Sequence, residues 1–120
     1  MRLTLVDVES YVDGIEDIYN DMDRYNILGL GDFDEYKEKM AACRFLINMD
    51  ADINTIFKAM YLAACALRDT AIEMAKHAAA GSFFEGIFTG NNSYNQAKLN
   101  NLNRCADRLI NFVEQIEEFL

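Results

Sequence analysis

Apolar residues recur at alternating steps of three and four along nearly the whole chain. The first such seam is Leu5, Val8, Val12, Ile15, Tyr19 and Met22, with Tyr11, Ile18 and Tyr25 flanking it at intervals of seven. The second is Phe33, Tyr36, Met40, Cys43 and Ile47. The third is Phe57, Met60, Ala64, Leu67, Ala71, Met74 and Ala78, beside a second stripe of Ile53, Ile56, Ala63 and Leu67. The fourth is Leu99, Leu102, Ala106, Leu109, Val113, Ile116 and Leu120, with Cys105, Phe112 and Phe119 next to it. This is the spacing of packed helices, and the period-two alternation of a half-buried strand is missing. No proline interrupts any segment. The predicted fold is therefore all-α, an up-down four-helix bundle with helices over roughly 4–28, 33–49, 53–80 and 92–120. The third helix, apolar on more than one stripe, is expected to be the most buried.

Turn and cap residues fit this division. Thr4 with Asp7, and Asp32 with Glu35, have the spacing of capping boxes, and Asp50 or Asp52 can cap the third helix. Lys76 and His77 suit its last turn, with Gly81 as the left-handed residue beyond it. Asn92 or Ser93 can cap the fourth. Gly14 alone among the six glycines falls inside a helix, where it suits close approach by another backbone.

A length of 120 residues implies one domain, 1–120, around one core. Asp7 and Glu9 come too early to leave the apolar stretch of a signal peptide, so none is expected. Cys43, Cys65 and Cys105 are odd in number, widely spaced and free of any C-x-x-C pattern. Reduced thiols and a cytoplasmic location are the expectation.

Charge is distributed unevenly along the chain. The formal net charge is −9, and residues 1–38 hold eleven acids against Arg2, Arg24 and Lys37. The remaining 82 residues are nearly neutral, with nine acids against eight bases. Direct binding to nucleic acid or to an anionic membrane needs the opposite sign. On the first helix Glu9, Asp13, Asp17 and Asp21 fall on the side away from the seam, with Glu16 and Asp23 next to them. From Asp7 to Asp23 the axis rises ~24 Å, a charge about every 4 Å, close to the ~3.4 Å per charge of one nucleic-acid strand. An acidic helix face is ordinarily a solubilising surface. Read functionally, these six residues form a docking face for a basic groove in a protein partner, one that would otherwise take nucleic acid.

A second feature is Phe83, Phe84, Ile87 and Phe88, four large apolar residues in a glycine-bounded connection. The ordinary reading folds them over the open end of the bundle. The functional one makes them a hydrophobic interface, with self-assembly into a homo-oligomer as the alternative function. A small anionic ligand held between subunits, near Arg104 and Arg108, is a further alternative.

Catalytic chemistry finds little footing. Asp69, Glu73 and His77 share a helix face at steps of four, half of a metal site with no matching half elsewhere in the sequence. The cysteines sit among apolar residues and read as small hydrophobes. No phosphate-binding loop and no paired carboxylates in an apolar setting occur. The expectation is a non-enzymatic binding protein with no catalytic residues, metal or cofactor. Inhibitors from phages and mobile elements offer an analogy of type: small, acidic and helical.

Overall fold

A computed structural model describes residues 3–24, 32–88 and 92–120, with the side chains of 77–88 and 92–99 excepted. Four helices form: α1 (Leu5–Arg24), α2 (Asp34–Asn48), α3 (Ile53–Phe88) and α4 (Asn92–Glu117). No strand occurs among the described residues. The fold is all-α.

Side-chain contacts fix the helix directions. Thr70 Oγ1, midway along α3, donates to the Asp32 carbonyl just before α2 at 3.0 Å, and the Cys43 thiol, late in α2, reaches the Ile56 carbonyl at 3.9 Å. α2 and α3 are therefore antiparallel. The Tyr61 hydroxyl donates to Glu117 Oε1 at 2.8 Å, which sets α4 antiparallel to α3. Tyr11 packs edge-on to Phe112 and Phe119 near the start of α1, while Asp21 near its end meets Arg108. α1 and α4 are antiparallel too. α3 packs on all three other helices, as its two apolar stripes predict. Its 36 residues give an axis of ~54 Å, equal to the long dimension of the molecule, 54 Å.

The core follows the predicted seams, although Tyr19 and Ile47 are only half-buried and the side chains of Ala78 and Leu99 lie outside the described residues. Val8, Val12, Ile15 and Met22 of α1 are buried, as are Met60, Leu67 and Met74 of α3 and Leu102, Leu109 and Ile116 of α4. Among the described residues no charged side chain is buried, and no buried side-chain polar atom lacks a partner. Leu5 and Leu120, at the outer ends of their seams, are exposed rather than buried.

The helix ends depart from the sequence reading in instructive ways. Thr4 and Asp7 form the expected box: the Thr4 backbone N–H donates to Asp7 Oδ2 at 3.0 Å, and the Asp7 N–H donates to Thr4 Oγ1 at 3.2 Å. The Thr4 N–H, joined by the Thr4 hydroxyl at 2.9 Å, donates to the Asp7 carboxylate and holds it below its ordinary value. Asp32 and Glu35 do not form one. The chain enters α2 through Phe33, which has no side-chain cap, and Asp32 Oδ1 instead accepts the Asp34 N–H at 3.0 Å. Phe33 is buried, with its ring edge-on to Tyr19 at 5.0 Å. Asp52, not Asp50, caps α3, accepting the Asn54 N–H at 3.1 Å. Asp50 closes α2 with φ of 53°, while the Ala51 and Asp50 N–H groups donate to the Leu46 and Ile47 carbonyls. That is a Schellman ending with aspartate in the left-handed position glycine usually takes.

α3 is longer than its sequence pattern predicts. The helix does not stop at Gly81 but continues to Phe88, so the expected connection 81–91 is mostly helix. Glycine inside a helix costs only about 1 kcal/mol relative to alanine. The strong helix formers before it, Ala78, Ala79 and Ala80, and the absence of proline leave nothing to enforce a stop.

Candidate functional site

α1 is amphipathic. Its apolar stripe, Val8, Val12, Ile15, Ile18 and Met22, is consumed by α3 and α4. The opposite side therefore faces solvent, and it carries the acidic residues. Glu9, Asp13, Asp17 and Asp23 are exposed, and none forms an ion pair among the described residues.

Glu16 and Asp21 are placed differently, at the two borders of this face. Glu16 Oε1 accepts from Arg44 Nε of α2 at 2.8 Å and also from its Nη2. The hydrogen bond to Glu16 raises the Arg44 pKa, and Asp13 adds to the effect through space. Asp21 Oδ2 accepts from Arg108 Nη1 of α4 at 2.9 Å, and its other oxygen lies 3.6 Å from Arg24. Each of the two carboxylates thus ties α1 to a neighbouring helix. Arg108 is accordingly engaged by Asp21, while Arg104 is exposed.

Gly14 lies towards the α4 border. A Cβ built there would stand 3.0 and 3.1 Å from Cε2 and Cζ of Phe112. The close approach expected at this glycine is made by a ring rather than by a backbone.

The α2 border is more open. α1 and α2 do not come together at the backbone and meet through side chains. Between them lies a groove of about 230 Å³, to which α1 contributes Glu16, Tyr19 and Asn20 and α2 contributes Tyr36, Lys37, Met40 and Ala41. The Tyr19 and Tyr36 rings stack at 4.9 Å with 30° between their planes. Burial, with the nearby Glu16 charge, pushes the Tyr36 phenol well above its ordinary value. Sequence reasoning missed this groove. Its local signal is the pair of tyrosines on facing seams, but nothing local says that α1 and α2 stay apart.

The remaining candidates are quickly placed. Cys43 and Cys105 are buried. Burial pushes the Cys43 thiol up to about 11 and raises that of Cys105, so both are protonated near neutral pH. No three potential metal ligands converge among the described residues. The His77 side chain lies outside them, as do those of Phe83, Phe84, Ile87 and Phe88. No described helix is long and apolar enough to cross a membrane. The chain matches no protein-family description, and no curated protein or solved structure shows significant similarity to it.

Proposed function

We propose that this chain is a non-enzymatic protein-binding module whose α1 face docks on a basic surface of a partner protein. The observation that carries this reading is the row of exposed carboxylates Glu9, Asp13, Asp17 and Asp23 on the solvent side of α1, which form no ion pair among the described residues. Like charges four residues apart disfavour the helix by a few tenths of a kcal/mol each. The row therefore brings α1 no stability of its own. Its contribution lies in long-range attraction, which raises association rates with a cationic surface and weakens as salt rises. Among the described residues the buried set is apolar apart from the Tyr36 hydroxyl and the thiols, which are protonated, and this favours binding over catalysis.

The narrower idea, imitation of a nucleic-acid strand inside a basic groove, drew on a charge about every 4 Å. With Glu16 and Asp21 tied to Arg44 and Arg108, Glu9, Asp13 and Asp17 stand ~6 Å apart along the axis. That is nearly twice the ~3.4 Å of a strand. The spacing favours a basic protein surface in general, with a nucleic-acid-binding groove as one instance of it.

The test is affinity capture at low and high salt with the wild type beside a Glu9→Lys, Asp13→Lys, Asp17→Lys variant. Asp21 is left alone because it anchors α4. The expected partner is retained by the wild type at low salt, released by high salt and not retained by the variant. A partner held equally by both proteins would refute the reading.

A further inference from the structure

The groove between α1 and α2 lies within this acidic region, and its own character is different. Its lining is aromatic and apolar, with Tyr19 stacked on Tyr36 and the buried Met40 alongside; Phe33, outside the groove, packs edge-on to Tyr19 at 5.0 Å. Asn20 and Lys37 supply polar groups at its edges. The volume, about 230 Å³, falls below the ~300–1,000 Å³ of pockets for drug-sized ligands. It is the scale of one large side chain. Tyrosine and methionine walls under a polar rim are the setting in which a single aromatic anchor contributes most to a protein interface.

Charge selects what surrounds that anchor. On α1, Asp17 and Asp23 lie one turn to either side of Asn20, and Asp13 lies one turn before Glu16. All three are exposed. Inside the groove the balance differs, because Glu16 is neutralised by Arg44 and the remaining charge is the Lys37 ammonium. A cation is thus disfavoured in the groove and favoured around it. A second copy of the chain, also at −9, would meet acid with acid at the rim.

We propose that the α1–α2 groove receives one aromatic side chain, tryptophan or tyrosine, from a partner segment that carries lysine or arginine on both sides of it. The basic flanks rest on the docking reading of α1, and the aromatic centre rests on the groove itself.

The chain contains no tryptophan, so a tryptophan peptide reports directly through its own emission. The probe is acetyl-Lys-Lys-Trp-Lys-Lys-amide, compared with the same peptide bearing glycine at the centre and with free N-acetyltryptophanamide. The tryptophan peptide is expected to bind at least tenfold more tightly than the other two, with its emission shifted to the blue. Ala41→Phe, at an exposed lining position of α2, should fill the groove and bring the tryptophan peptide down to the level of the glycine peptide. The helical circular-dichroism signal should stay unchanged. Equal affinity of the tryptophan and glycine peptides for the wild type overturns the proposal without recourse to any variant. Equal affinity of the free amide and the tryptophan peptide overturns it in favour of a small-ligand site. A smaller particle for Ala41→Phe in light scattering overturns it in favour of self-association. A Glu9→Gln, Asp13→Asn, Asp17→Asn, Asp23→Asn variant separates the two readings. Loss of affinity for both lysine peptides supports the basic flanks. Unchanged affinity refutes the acidic docking face while leaving any tryptophan preference in place.

Discussion

Gly14 gives the sharpest test of how α1 sits on α4. Two opposing terms act on Gly14→Ala. Alanine in a helix interior is favoured over glycine by about 1 kcal/mol. The new methyl, however, would lie 3.0 and 3.1 Å from two ring carbons of Phe112, against the ~3.5–4.0 Å of an ordinary carbon contact. The ring must retreat by about 0.5 Å to restore that separation. The same ring packs edge-on against Tyr11 at 5.5 Å, a contact that its retreat from α1 would loosen. Overpacking of this kind typically costs ~1–3 kcal/mol. Gly14→Ala is therefore expected to be neutral to about 2 kcal/mol destabilising, once the helical gain is subtracted. In a Phe112→Ala background the ring is gone and the helical gain should appear alone, about 1 kcal/mol stabilising. The coupling between the two sites is then ~1–3 kcal/mol. Urea denaturation followed by circular dichroism on the four proteins of the cycle measures it. Full stabilisation by Gly14→Ala in the wild type, with no coupling to Phe112, would refute the packing argument.

Other perturbations probe other levels of the structure. Leu67→Asp places an unpaired carboxylate where the leucine has no exposure, and should unfold or aggregate the protein, as seen by loss of the cooperative thermal transition. Asp50→Gly removes the left-handed strain at φ of 53° and should stabilise by up to about 1 kcal/mol in urea titrations. Replacing Arg44 by Met should cost less than about 1 kcal/mol, because both partners of its pair with Glu16 remain in contact with solvent; a larger loss in the same titrations would show a structural role beyond the pair. Cys43 should resist a bulky thiol reagent in the folded state at neutral pH. Its raised folded pKa, about 11 against 9.0, means that its contribution is intact below pH 9 and is lost as pH rises through 11. That loss is roughly 2–3 kcal/mol, and Cys43→Ala should remove this part of the alkaline destabilisation.

The seams on α1, α3 and α4 show what a sequence specifies alone. A helix repeats every ~3.6 residues, so whether Val8, Val12 and Ile15 share a face depends only on their spacing. The same local rule makes the Thr4–Asp7 cap legible, since both partners lie within one turn. It also shows its limit at Gly81, because glycine costs a helix only about 1 kcal/mol relative to alanine, too little to enforce a stop. The acidic face was likewise visible as a pattern, but the state of each charge was not. Glu16 meets Arg44 from 28 residues away and Asp21 meets Arg108 from 87 away. Those pairings depend on how far each helix slides along its neighbour, a register set by interlocking side chains from several helices at once. The same holds for Phe112 over Gly14 and for the groove walled by Tyr19 and Tyr36. Periodicity assigned each of these residues to a face of its own helix. Only the packing of α1 against α3 and α4, with α2 held apart from it, determined which faces met and which gap stayed open.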